Sequence, residues 1–119
     1  MENRKTSRVT ERRTSMRVPV QLPVTLRYRG RLIPATACNL SCGGMMLDTP
    51  DAAFMEEDHL ELIFDLSTIE RDVTLRGAII RNEAAGRNHR IGIQFTNVCS
   101  IGHEAVTRFL KRQGKSEQH

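Results

Sequence analysis

The chain has few aromatic residues and no long apolar run. It contains four Phe, one Tyr and no Trp among 119 residues. A protein that binds single-stranded nucleic acid by base stacking needs more aromatic rings than this. A transmembrane helix needs about 18 or more consecutive apolar residues, and no stretch of the sequence approaches that length. The N-terminus also lacks the apolar core of a signal peptide, so we expect a cytoplasmic protein without a membrane span.

Cysteine is present in an odd number, as Cys38, Cys42 and Cys99. An odd number fits a reduced compartment better than a disulfide framework. The spacings Cys38-x₃-Cys42 and Cys99-x₃-His103 leave a zinc site as a minor alternative, although paired zinc ligands usually have two intervening residues. We therefore expect small buried apolar cysteines, except for Cys42, which falls in a predicted turn.

The sequence shows no group of residues with catalytic spacing. The four His residues are scattered, and paired carboxylates, a nucleophile elbow and a phosphate-binding loop are all missing from the pattern. The sequence therefore predicts a binding protein rather than an enzyme, with no metal and no cofactor.

Positive charge is concentrated at the N-terminus. Residues 1–19 contain six Lys or Arg and two Glu, whereas the remainder contains twelve basic and twelve acidic residues. A basic arm on a neutral domain indicates an anionic partner bound at one place. Residues 1–11 carry too few apolar side chains to bury a core, and we expect them to be a flexible leader.

From Val20 onwards, apolar residues alternate with polar residues or proline. This period of two is typical of half-buried strands, and Pro23 indicates an edge. Strands are predicted over residues 20–28, 32–40, 45–47, 59–66, 73–81 and 90–96. Because no crossover helices separate them, the sheet should be antiparallel, and a small closed six-stranded barrel would remove its exposed edges.

The period changes to that of a helix after residue 97. Asn97 or Ser100 is the predicted N-cap, and Gly114 is the predicted stop. The apolar stripe consists of Val98, Ile101, Ala105, Phe109 and Leu110. We thus expect a flexible leader (1–11), a β-barrel domain with its C-terminal helix (12–113) and a disordered tail (114–119).

The turn after the second strand carries groups suited to a guanine nucleotide. Asn39 and Ser41 are two residues apart on an extended segment and so should share a face. Gly43 and Gly44 lack side chains, which lets a flat ligand approach the backbone. Arginine donates to phosphate or to guanine O6 and N7, while Asn39 or Ser41 would accept from the guanine N1–H and N2–H₂ groups.

Two motifs make the chain resemble the PilZ domains, which bind the bacterial second messenger cyclic di-GMP. Arg13-x-x-x-Arg17 matches the family motif RxxxR, and Asn39-x-Ser41-x-x-Gly44 matches (D/N)xSxxG. Both are complete and in the expected order, and residues 90–95 are similar to the family's last strand. The resemblance covers residues 10–112.

The resemblance implies that Arg13 and Arg17 wrap the ligand from a mobile arm. Asn39, Ser41 and Gly44 would line the barrel surface beneath it, which leaves Gly43 as the purely structural glycine. The basic Arg12 before the first motif implies an intercalated cyclic di-GMP dimer. Ligand binding would clamp the arm and change the surface shown to an effector protein. Arg81, at a predicted strand end, is a further candidate contact.

The sequence leaves two alternatives open. One is a β-barrel with a basic arm that binds nucleic acid, which the sequence pI of about 9.4 favours and the neutral barrel disfavours. The other is a PilZ-like module that binds only protein, against which the intact motifs argue.

Overall fold

The computed structural model describes residues 17–50 and 54–118 of the chain. Within these residues, six strands precede one helix. They are β1 (Val18–Tyr28), β2 (Arg31–Leu40), β3 (Gly44–Thr49), β4 (His59–Phe64), β5 (Val73–Ala85), β6 (Asn88–Phe95) and α1 (Ile101–Gln118). The predicted mainly β fold with a C-terminal helix is confirmed. The predicted leader over residues 1–11 lies outside the described residues.

The strands form a closed antiparallel barrel in the order β1-β2-β3-β6-β5-β4. The pairing of Val24–Arg27 on β1 with residues 61–64 on β4 closes it. Pro23 lies just before that pairing begins, so β1 tolerates the missing N–H there although the barrel has no edge strand. The edge position predicted for β1 is therefore wrong. The strand order also places β3 beside β6, which brings the turn before β3 next to the last strand.

Alternate side chains from each strand fill the barrel interior, as the period of two predicts. On β4, for example, Leu60, Leu62 and Phe64 are buried, and the residues between them are not. The largest fully buried apolar side chains are Leu26, Leu40, Leu47, Leu62, Leu75, Ile79, Ile91 and Val106. Their burial supplies the main driving force for folding.

Helix α1 packs its first turns against β5. Ser100 is the N-cap, because its Oγ accepts a hydrogen bond from the His103 N–H at 3.2 Å. At Gly102 the helix approaches so closely that a Cβ would lie 2.2 Å from the Thr74 carbonyl oxygen. This approach decides which face is buried: Ala105, Val106 and Leu110.

Two parts of the predicted apolar stripe are wrong. Val98 lies before the helix and is 50% exposed, and Ile101, its first residue, is 83% exposed. The close contact at Gly102 turns Ile101 away from the barrel, so the buried face is displaced toward Val106.

The predicted helix end at Gly114 is also wrong, because α1 continues through this glycine to Gln118. One glycine lowers helix stability by about 1 kcal/mol and does not by itself end a helix. No proline follows Gly114 to enforce a stop. Within the described residues, no helix combines the length and the apolar character needed to cross a bilayer.

Candidate functional site

The turn Ser41–Gly44, here called the motif turn, is organised by a serine. Ser41 Oγ accepts hydrogen bonds from the backbone N–H groups of Gly43 and Gly44, both at 3.2 Å, and donates to the Gly44 carbonyl oxygen at 3.3 Å. The Ser41 N–H donates to the same carbonyl at 2.9 Å. Ser41 is 9% exposed. Its hydroxyl therefore holds the turn in shape, as short polar side chains commonly do.

The two glycines of the motif turn differ in what surrounds them. A Cβ on Gly44 would lie 1.9 Å from the backbone carbonyl oxygen of Ile93 on β6. A Cβ on Gly43 would meet only Ser41 Oγ, at 4.0 Å. Gly43 is the predicted purely structural glycine, but its surroundings do not require glycine there. The close approach of β3 to β6 requires glycine at position 44 instead.

Two β-bulges turn polar side chains toward the outer surface near this turn. One interrupts the pairing of β2 with β3 between Ala37 and Asn39, so that Leu40 is buried and Asn39 is only half-buried. The other interrupts the pairing of β5 with β6 between Ile79 and Arg81. As a result, the consecutive residues Ile80 and Arg81 are both exposed, whereas successive side chains of a regular strand point to opposite faces.

A cavity of about 300 Å³ lies over the motif turn. It brings together four of the predicted site residues, which are Arg17, Asn39, Ser41 and Gly44. The predicted residues Arg12 and Arg13 lie outside the described residues. The rest of the lining comes from β3, β5, β6 and the turn, and it consists of Gly43, Met45, Met46, Ile80, Arg81, Gly92, Ile93 and Gln94.

Positive charge dominates the cavity. Among the described residues that line it, the two charged ones are Arg17 and Arg81. Arg81 Nε lies 3.9 Å from a Glu83 carboxylate oxygen, but both side chains are exposed, so this pair holds the guanidinium only weakly. Ile80 and Met46 add an apolar wall. The arrangement suits an anionic ligand with a flat apolar part.

Sequence reasoning missed most of the wall that β5 and β6 supply. The alternation on β6 does place Gly92 and Gln94 on the outer face, opposite Ile91, Ile93 and Phe95, so a signal was present for these two. Ile80 carries no such signal, because its exposure depends on the bulge. Predicted strand five also ended too early at residue 81, whereas β5 continues to Ala85 and turns at residues 86–87.

The opposite end of β1 carries a separate polar cluster. The Tyr28 hydroxyl and the Arg29 guanidinium both donate to the same carboxylate oxygen of Asp58. The hydrogen bond from Tyr28, followed by that from Arg29, lowers the pKa of Asp58, while burial raises the pKa of Tyr28. None of these three residues lines the cavity, so the cluster is separate from the lining described above.

The cysteines form no metal site in the part of the chain that the structure describes, where no three metal-binding side chains come together. Cys99 is exposed, so the prediction that it is buried is wrong. His103, the fourth member of the hypothetical zinc set, instead has its Nε2 2.7 Å from the backbone carbonyl oxygen of Cys42.

The same barrel occurs in known structures. The inhibitor of motility MotI/DgrA of Bacillus subtilis is 19% identical with a TM-score of 0.73, and the match covers 87% of this chain and 52% of that protein. The chain thus spans about half the length of that relative. The PilZ domain of YcgR from Escherichia coli, solved with c-di-GMP, is 16% identical with a TM-score of 0.67. The match covers 90% of this chain and 97% of that domain.

PlzA of Borreliella burgdorferi, solved in complex with c-di-GMP, is 10% identical with a TM-score of 0.53, and the match covers 100% of this chain and 59% of PlzA. Identities this low establish the fold alone. Among curated proteins, none shows a significant sequence match. The family model of the PilZ domain matches residues 11–112, which is most of the chain. The chain belongs to the PilZ domain family.

Proposed function

We propose that the chain is a receptor domain for cyclic di-GMP rather than an enzyme. One observation carries the proposal: Arg17 from the first motif and Asn39, Ser41 and Gly44 from the second line the same positively charged cavity. Two proteins of the same fold, the PilZ domain of YcgR and PlzA, have been solved with this ligand. The match of residues 11–112 to the family supports the same reading.

The lining offers complementary groups for each part of the ligand. The guanidinium groups of Arg17 and Arg81 are suited to phosphate oxygens or to the O6 and N7 edge of guanine. The Asn39 carboxamide oxygen is suited to the N1–H and N2–H₂ donors on the opposite edge. Ile80 and Met46 present an apolar surface to the flat base.

We propose further that Arg12 and Arg13 close over the ligand from the arginine arm that precedes β1. Binding would order this arm against the barrel, and the change of surface would be read by an effector protein. Part of the binding free energy is spent on ordering the arm, so an affinity in the micromolar range is expected as an order of magnitude. Arg12 favours two intercalated ligands per chain. We propose a cytoplasmic location, where this second messenger would be encountered.

Isothermal titration calorimetry of the full chain with cyclic di-GMP tests the proposal. We expect saturable binding, no heat with GTP at the same concentrations, and a molar ratio that distinguishes one ligand from two. Absence of saturation at high micromolar cyclic di-GMP would overturn the proposal. Binding to a long DNA duplex with steep salt dependence, and none to the dinucleotide, would favour the nucleic-acid alternative instead.

Replacing Arg81 with alanine should weaken cyclic di-GMP binding by about tenfold, since one charge-assisted hydrogen bond to the ligand is lost. Arg76→Ala is the matched control, because Arg76 is an exposed arginine of the same strand that does not line the cavity. Calorimetry on both variants makes the comparison. Equal affinities would show that the Arg81 guanidinium does not reach the ligand.

A further inference from the structure

The first turn of helix α1 is joined to the motif turn by one side chain. His103 lies three residues beyond the N-cap Ser100, and its imidazole Nε2 is 2.7 Å from the Cys42 carbonyl oxygen, 61 residues away in sequence. A carbonyl oxygen only accepts, so Nε2 carries the proton and donates. The imidazole also meets the Phe95 ring edge-on, with 6.2 Å between the ring centroids and 79° between the planes. Both contacts hold the ring in one orientation.

This hydrogen bond completes the anchoring of one peptide group. The peptide between Cys42 and Gly43 has its carbonyl held by His103 Nε2 and its N–H held by Ser41 Oγ. The next carbonyl, that of Gly43, accepts from the Phe95 N–H at 2.8 Å. The Ser41 hydroxyl thus holds the turn from within, and the Phe95 N–H holds it from the β6 backbone. His103 adds a side-chain contact from α1.

We infer that His103 is a positioning residue that fixes the orientation of the motif turn and thereby couples helix α1 to the cavity. A peptide group held at one end is free to rotate, and the turn would then present Gly43 and Gly44 to a ligand in several orientations. Holding both ends removes that freedom before the ligand arrives, which lowers the entropic cost of binding. Because such coupling is reciprocal, a ligand that shifts the motif turn also acts on α1 through the same bond. The effect on affinity rests on the proposed function, whereas the effect on the turn does not.

Three variants of the full chain separate the hydrogen bond from packing. His103→Phe keeps a flat ring against Phe95 but removes the donor. His103→Gln keeps an N–H donor at a similar reach. His59→Phe is the control, because His59 is an exposed histidine of β4 that lies outside the cavity. Should His103→Phe fail to melt cooperatively, His103→Asn takes its place, since its shorter side chain cannot reach the carbonyl.

The first measurement is amide hydrogen exchange of the ligand-free protein by NMR. In His103→Phe we expect the Gly43 N–H to exchange about fivefold to tenfold faster than in the wild type, as the loss of one partly buried hydrogen bond implies. His103→Gln should restore the wild-type rate, and His59→Phe should not change it. Unchanged Gly43 exchange in His103→Phe would overturn the inference whether or not the chain binds cyclic di-GMP.

The second measurement is the cyclic di-GMP affinity of the same variants by calorimetry. We expect about fivefold weaker binding for His103→Phe, with wild-type affinity for His103→Gln and His59→Phe. Faster exchange with unchanged affinity would overturn the coupling to the cavity. A wild-type protein that binds no cyclic di-GMP would overturn the proposed function, and the exchange data would then decide the role of His103 alone.

Discussion

Replacing Arg17 with alanine is expected to weaken cyclic di-GMP binding by about 100-fold. Arg17 lines the same cavity as the motif turn, and β1 begins at the next residue. A guanidinium at this place can form two charge-assisted hydrogen bonds with a phosphate or with guanine. Each is worth about 1.5 to 3 kcal/mol, and the loss of part of this free energy corresponds to roughly a 100-fold change in Kd.

The variant should leave the stability of the barrel unchanged. Arg17 is exposed, and substitutions of exposed residues away from special features usually change the free energy of unfolding by less than about 0.5 kcal/mol. For Arg17→Ala we therefore expect calorimetric titration to show a large loss of affinity and thermal melting to show an unchanged Tm.

Arg27→Ala is the matched control for this experiment. Arg27 is another exposed arginine of β1, where it pairs with Glu61 of β4 at 3.3 Å, and it does not line the cavity. It should keep wild-type affinity. Arg17→Lys adds a second comparison, because lysine keeps the charge but loses the planar fork of donors, and intermediate affinity is expected. If Arg17→Ala and Arg27→Ala bind equally well, the cavity is not the ligand site.

The largest expected effect on stability comes from Gly44→Ala. The new Cβ would lie 1.9 Å from the Ile93 carbonyl oxygen, and the obstacle is backbone rather than the end of a flexible side chain. β3 and β6 would have to separate, which disturbs the pairing of Gly44 with Gln94 and the hydrogen bond from the Phe95 N–H to the Gly43 carbonyl. We expect a loss of about 3 kcal/mol in the free energy of unfolding, at the upper end of what overpacking usually costs.

Gly43→Ala supplies the control one residue away. Its Cβ would be 4.0 Å from Ser41 Oγ, and its φ lies outside the left-handed region. The substitution should change the free energy of unfolding by less than about 1 kcal/mol, because glycine's greater freedom in the unfolded chain offsets small losses. Urea unfolding followed by circular dichroism compares both variants with the wild type. Equal stabilities for Gly43→Ala and Gly44→Ala would contradict the close approach of β3 to β6.

The local pattern of the sequence was sufficient for most of the fold. The alternation in β1 and β4 marks strands because one face of each is buried and the other is not, and this is a property of neighbouring residues. Closure into a barrel followed from a count of strands and from the lack of crossover helices. The ends of elements were less predictable. Gly114 continues a helix that it only weakens, and β5 extends beyond Arg81 to Ala85 because β6 pairs with it along that length.

The two motifs by themselves determined the family and four residues of the cavity. Each motif is a short stretch of sequence, so its residue types and spacing can be recognised without knowledge of the fold. Only the tertiary structure decided what surrounds them. The bulge in β5 exposes Ile80 beside Arg81, the proximity of Ile93 requires glycine at position 44, and α1 places His103 on the Cys42 carbonyl. These contacts join residues that are distant along the chain. They depend on the strand order and on the docking of the helix, which no local pattern contains.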